Sequence, residues 1–140
     1  MADGSGTKLA ARASNEEGAY MFNMNDAAAS THVLDMGDSG KTYMLYSTVA
    51  RTITLPAVAA GLKFKFIATD TTADSSITTS EGTALFKGGA ECGDAYLTLA
   101  GTTIVVEAAG AVGDYLDLIC DGTYWYVSGH GSHDASFSVS

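Results

Sequence analysis

Residues 113–128 read GDYLDLICDGTYWYVS and contain the clearest local pattern in the chain. Leu116, Leu118 and Cys120 recur at every second position, and Trp125 and Val127 do so again after the pair Asp121-Gly122. Period-two alternation is typical of a strand with one buried face. An Asp-Gly pair between two such runs predicts a hairpin with a type I′ turn. Both loop residues of a type I′ turn need positive φ, and this requirement favours Asp-Gly. We therefore expect two antiparallel strands here, with Trp125 facing the core.

The same alternation extends upstream through most of the chain. Leu62, Phe64 and Phe66 alternate with lysines, and Pro56, the only proline, stops the strand that precedes them. From residue 31 onward, roughly nine short apolar-alternating segments recur every 8 to 12 residues or so, with glycine and aspartate between them. The pattern predicts an all-β fold, a compact antiparallel β-sandwich or barrel of about nine strands.

The two ends of the chain do not share this pattern. Residues 1–30 sustain neither a helical nor a strand period and are predicted to form an extended N-terminal arm. Four large apolar side chains lie in it: Tyr20, Met21, Phe22 and Met24. Apolar anchors on such a segment suit ordering on a partner, and packing on the chain's own domain is an equal alternative. Residues 31–128 are predicted as the β domain, and the Gly- and Ser-rich residues 129–140 as a polar C-terminal tail.

Composition and charge argue against binding to nucleic acid or to an anionic membrane. Net charge is −9, and the seven Lys and Arg residues are scattered from Lys8 to Lys87. Nucleic-acid binding requires clustered basic residues that displace counterions from phosphates, and docking on an anionic membrane requires a similar cluster. Neither partner is expected. Met1–Leu9 lacks the apolar stretch of a signal peptide, and no apolar run approaches a membrane span. The sequence predicts a protein made in a cytoplasm, with Cys92 and Cys120 as free thiols.

Two short patterns resemble ligand-binding sites, one for phosphate and one for a metal ion. Residues 37–42, GDSGKT, resemble the end of a phosphate-binding loop, but Asp35 stands where the motif needs a glycine and a strand-like run follows where it needs a helix. A turn is therefore predicted. His130, His133 and Asp134 include the donor types that bind zinc or iron, yet three ligands on a loose Gly/Ser tail do not preorganise a site. The prediction is an exposed terminus and no metal.

No other residues form a catalytic pattern. Asp114 and Asp117 flank apolar strand positions and are interpreted as solvent-facing turn caps, and His32 lies alone on a strand. No nucleophile with a neighbouring base and no cofactor loop emerges. The sequence therefore predicts a non-enzymatic protein with no cofactor. Strand alternation places Tyr124 and Tyr126 on the face opposite Trp125, which makes these tyrosines candidates for partner contact.

Two stretches together resemble a small β module of tailed-bacteriophage virion proteins. Residues 52–67, TITLPAVAAGLKFKFI, show the pattern T-x-T-L-P followed by G-x-x-F-x-F, and residues 113–128 show G-D-x-x-x-L-x-x-D-G-x-x-W-Y-V. Modules of this kind occur in head decoration (cement) proteins and at the ends of tail or head fibres. The two motifs span residues 52–128, and the resemblance assigns no catalytic residue to this chain.

The resemblance implies a virion structural protein. Its leading form is a capsid decoration protein, a homotrimer bound to the major capsid protein on the outside of the head, where it stabilises the shell. One module with an arm suits this role, since fibres usually carry long repetitive shafts. The alternative is the receptor- or glycan-binding tip of a phage tail or head fibre. A hydrolase domain is the third and weakest reading.

Overall fold

Short alternating segments become strands throughout the computed structural model, which describes residues 31–45 and 49–140. One 3-10 turn, Met36–Asp38, is the only helical element in those residues. The eleven strands are β1 (Thr31–Val33), β2 (Thr42–Leu45), β3 (Arg51–Thr54), β4 (Ala60–Ala68), β5 (Ser75–Thr78), β6 (Phe86–Cys92), β7 (Ala95–Thr98), β8 (Thr103–Val106), β9 (Tyr115–Asp121), β10 (Trp125–Gly131) and β11 (Phe137–Val139).

The strands form two sheets that pack against each other. One has five strands in the order β1-β3-β5-β8-β11, and the other has six in the order β2-β4-β9-β10-β6-β7. The predicted all-β sandwich is therefore confirmed, with eleven strands in the described residues rather than about nine.

Both sheets are mixed rather than purely antiparallel. β1, β3 and β5 run parallel, as do β2 with β4 and β6 with β10, and the remaining pairs are antiparallel. The reason is the path of the chain, which alternates between the two sheets from β1 to β6. A strand that returns after crossing the opposite sheet points in the same direction as before. Side-chain alternation has period two in both arrangements, so the sequence pattern does not distinguish them.

Apolar residues from both inner faces meet in one core. On the six-stranded sheet, the rings of Tyr43, Phe64, Phe66 and Trp125 form a cluster, with centroids 5.8 Å apart for Phe64 and Trp125. Ile53, Ile77 and Ile104 of the five-stranded sheet belong to the same core. Trp125 is fully buried, as the sequence predicts. Cys92 and Cys120 are buried free thiols on strands separated by β10.

The hairpin predicted at Asp121-Gly122 is present, but its turn is not type I′. The Asp121 amide donates to the Tyr124 carbonyl at 3.2 Å, so the two loop residues are Gly122 and Thr123. Gly122 has a φ of 99°, and no described non-glycine residue has positive φ. Type I′ needs positive φ at both loop positions. The prediction failed because Asp121 closes β9, where its carboxylate accepts from the amides of Thr123 and Tyr124, each at 2.8 Å.

Residues 129–140 are part of the sandwich, not a tail beyond it. β10 continues to Gly131, and β11 pairs with β8 so that Phe137 lies in the core. The expected domain boundary at residue 128 therefore falls inside a strand. Only one large apolar residue lies between residues 132 and 138, too few to show alternation. Its burial depends on contacts with sequence-distant strands.

Gly88-Gly89, expected to interrupt the strands, lies within β6. A Cβ on Gly88 would overlap the Val127 carbonyl oxygen, and one on Gly89 would overlap that of Leu97. These glycines allow close approach of neighbouring strands, which is a second use of glycine in sheets besides the break that the sequence suggested.

Candidate functional site

The two motif stretches meet on one side of the molecule. Residues 52–67 supply β4, residues 113–128 supply β9 and most of β10, and these strands are neighbours in the six-stranded sheet. Their inward side chains build the core. Their outward side chains lie on the outer face of the six-stranded sheet.

A row of four side chains crosses that face in register. Lys63 on β4 lies opposite Ile119 on β9, Ile119 lies opposite Tyr126 on β10, and Tyr126 lies opposite Lys87 on β6. We call these four residues the exposed row. Alternation along each strand turns them away from the core, because Phe64, Leu118, Val127 and Phe86 point inward.

The centre of the exposed row is apolar and accessible. Ile119 is 56% exposed and Tyr126 is 47% exposed. Directly opposed side chains on antiparallel strands have Cβ atoms about 4.5–5.5 Å apart, so the two form one continuous patch. An aliphatic and an aromatic side chain flanked by charge is the usual anatomy of a protein-binding surface, with an apolar centre and a polar rim.

Lysines on this face lie over tyrosine rings. Lys87 Nζ lies 4.7 Å from the ring centroid of Tyr124, and Lys65 Nζ lies 4.8 Å from that of Tyr115. Such contacts are cation–π interactions, and they cover one side of each ring.

Tyr126 is held by a different contact. A hydrogen bond to the Asp121 carboxylate raises the pKa of Tyr126, and the amides of Tyr124 and Thr123 lower the pKa of Asp121. The turn that ends β9 thus positions the phenol of a central residue of the exposed row.

An open groove of about 390 Å³ adjoins the exposed row. Its polar lining comes from Lys41, Thr42, Lys63, Lys65, Asp117 and Ser128. Lys41 Nζ forms a 2.8 Å ion pair with Asp38, and Lys65 lies opposite Asp117 in the register of β4 and β9. Residues 37–42 form the turn into β2, as predicted, and contribute to the rim of this groove.

The expectation that basic residues form no patch needs correction. All four lysines in residues 31–45 and 49–140 lie on or beside the outer face of the six-stranded sheet, although they are far apart in sequence. Strand pairing brings them together, which linear spacing does not reveal. Asp117, Asp121 and Glu91 are interleaved with them, so the face has mixed charge rather than a uniform basic field.

The outer face of the five-stranded sheet has the opposite character. Its outward positions on β1, β3, β5, β8 and β11 are hydroxyl and valine side chains without a charged group: Thr31, Val33, Thr52, Thr54, Ser76, Thr78, Thr103, Val105 and Ser138. Thr103 donates to Thr78 across the sheet at 3.0 Å. The Glu107 carboxylate accepts from the Ser138 hydroxyl at the end of this face. The sandwich thus has one hydroxyl-rich face and one face with lysine, tyrosine and isoleucine.

Asp114 is a buried structural centre, not a solvent-facing cap. It is 2% exposed, and its carboxylate accepts from the Ala111 amide at 2.9 Å and from the amide and hydroxyl of Ser132 at 2.9 and 2.8 Å. Burial by itself would raise the pKa of Asp114, but these hydrogen bonds and one from the Ser136 hydroxyl hold that pKa below its usual range. Asp117, by contrast, is half-buried on the groove.

The other residues that the sequence singled out, the candidates for partner contact and His130, lie at the following places. Tyr126 lies in the exposed row, and Tyr124 is half-buried just before β10 on the same side of the sheet. Tyr20, Met21, Phe22 and Met24 lie outside the described residues. His130 is an outward residue of β10 opposite Tyr115 and Glu91, and it shares no cluster of three metal-binding side chains within the described residues.

Among the described residues, no helix is long and apolar enough to cross a membrane.

Comparison of the chain with protein-family models, with curated proteins and with solved structures gives no match.

Proposed function

We propose that this chain is a non-enzymatic virion structural protein, a capsid decoration protein that binds the outer surface of a tailed-phage head and stabilises the shell. Its partner is the major capsid protein, and it acts as a homotrimer made in the host cytoplasm.

One observation carries this proposal. The exposed pair Ile119 and Tyr126 lies on the strands that supply the virion-module motif. Both side chains point outward, although the same strands bury a continuous core on their other side. Exposure of this apolar pair to solvent does not stabilise the isolated chain. Covering the pair with a protein surface removes apolar area from water, which is favourable in free energy.

The surface as a whole supports attachment to protein. A decoration protein needs one surface for the shell and others for sister subunits. The sandwich offers two outer faces of different chemistry, and the uncharged strand positions of the hydroxyl-rich face let copies of a chain with net charge −9 approach with less repulsion. Residues 1–30, with the apolar cluster at residues 20–24, remain a predicted second contact.

The test is the location of the protein in the particle. Virions of the phage that encodes the chain are disrupted, heads and tails are separated on a gradient, and the chain is detected by mass spectrometry. We expect it in the head fraction. Its presence only with tails would overturn the proposal in favour of the fibre-tip alternative, and its absence from both fractions would overturn both readings.

A further inference from the structure

We infer that the exposed row is a docking site for a protein surface in which an apolar spot is flanked by carboxylates. The inference deepens the proposed function by naming the chemistry of the capsid surface. Its identification of the partner as capsid rests on that function, whereas the chemistry rests on the four residues Lys63, Ile119, Tyr126 and Lys87 alone.

The geometry of the row sets the shape of the partner. Its four residues lie on adjacent strands β4, β9, β10 and β6, and neighbouring strands are about 4.8 Å apart. The two outer Cα atoms are therefore separated by roughly 14 Å across three such intervals. Lysine side chains extend further, so carboxylates on either side of an apolar contact on the partner fall within their reach.

Charge favours an acidic protein partner over nucleic acid. Within the described residues, the lysines are confined to this sheet, while most acidic side chains lie in loops elsewhere. Lys63 and Lys87 lie at the two ends of the exposed row, so carboxylates on a partner that flank an apolar contact complement the row locally. Asp117 and Asp121 interrupt the lysines, however, so a continuous phosphate backbone would meet both signs of charge.

The centre of the row favours protein over glycan. Sugars bind by stacking on open aromatic faces, and lysines lie over the rings of Tyr124 and Tyr115 beside the row, which leaves Tyr126 as the one aromatic ring of the row itself. Ile119, the most exposed residue of the central pair, offers an aliphatic surface with no polar group for a sugar hydroxyl. Burying such a side chain contributes most when the partner is apolar.

The test uses an immobilised random copolymer of glutamate and tyrosine as the probe, with binding measured by biolayer interferometry at low and at physiological salt. Two variants alter the row: Lys63→Gln with Lys87→Gln, and Ile119→Ser. The matched control, Thr31→Glu with Thr54→Glu, changes the net charge by the same two units on the opposite outer face. Thermal unfolding of each variant is recorded alongside, and only variants with the wild-type transition are compared.

The wild-type chain is expected to bind the copolymer, both row variants to bind about tenfold more weakly, and the control to stay within about twofold. Equal loss in the control, or no loss in the row variants, would overturn the inference. Tighter binding to alginate, an anionic polysaccharide, than to the copolymer would overturn it in favour of a glycan ligand.

The same variants separate this inference from the proposed function. If the chain is found on heads and its attachment is unaffected by the row variants, the inference fails and the decoration role stands. If the row binds the copolymer but the chain is not a component of heads, the chemistry of the site stands and the decoration role fails.

Discussion

The carboxylate of Asp114 accepts hydrogen bonds from both the amide and the hydroxyl of Ser132, 18 residues further along the chain. This contact ties the segment after β10 to the loop before β9. It explains why residues 132–140 return to the sandwich instead of extending from it, and it makes one buried charge responsible for the order of the C-terminal region.

Replacing Asp114 with Asn should lower the free energy of unfolding by about 1–3 kcal/mol at neutral pH, because several buried donors lose a charged acceptor. The pKa of Asp114 is lowered in the folded state from its usual 3.8. Its contribution to stability is therefore complete above that value and is lost as the pH falls through the depressed pKa. The difference in the free energy of unfolding between wild type and variant, measured by urea unfolding, should become smaller below about pH 4. Asp94→Asn, at an exposed turn, serves as the control. A difference that does not change with pH would contradict this role.

Removing residues 132–140 should abolish or greatly lower the cooperative thermal transition. The truncation deletes β11, Ser132, which donates twice to Asp114, and the buried ring of Phe137. The point variant Phe137→Ala keeps the backbone of β11 and should lose about 3–5 kcal/mol by cavity formation. Wild-type melting of the truncated chain, followed by circular dichroism, would mean that these residues form the dispensable tail that the sequence suggested.

The sequence predicted the fold class well because strand alternation has a direct physical cause. Leu62, Phe64 and Phe66 alternate with lysines since one face of β4 is buried, and Trp125 was correctly placed in the core by the same argument. The direction of strand pairing could not be predicted, because crossing between sheets leaves the alternation unchanged. The type I′ turn was wrong because the two loop residues are Gly122 and Thr123, one residue later than the position that Asp121-Gly122 suggests.

The candidate site could be predicted only in part. Tyr126 was identified because alternation places it opposite Trp125 along one strand. Ile119, Lys63 and Lys87 were missed, since their proximity is created by pairing among β4, β9, β10 and β6. Ile119 does carry a signal: it is an isoleucine at an outward position of an alternating run, between the inward residues Leu118 and Cys120.

Replacing Gly122 with Val should destabilise the protein by about 1 kcal/mol or more, because a β-branched residue resists the φ of 99° observed there. The neighbouring change Thr123→Val introduces the same side chain in the same loop at a position without positive φ, and it should have a much smaller effect. Thermal unfolding of the two variants provides the comparison. Equal stability of both would show that the turn does not depend on glycine at position 122.

In solution the protein should be a trimer. Multi-angle light scattering is expected to give about three times the chain mass of 14.4 kDa at micromolar concentration. The expectation follows from the proposed decoration role and from the hydroxyl-rich outer face of the five-stranded sheet, whose outward strand positions carry no charge and so limit repulsion between copies. A strict monomer at high micromolar concentration would argue against a trimeric decoration protein.

The measurement closest to the central claim is the thermal stability of phage heads with and without this protein. Expanded heads assembled without the chain are mixed with increasing amounts of purified protein, and head disruption on heating is followed together with the bound amount after sedimentation. We expect saturable binding to the heads and a disruption temperature that rises with occupancy and then levels off. Heads that bind no protein, or that bind it and disrupt at an unchanged temperature, would contradict a role in stabilising the shell.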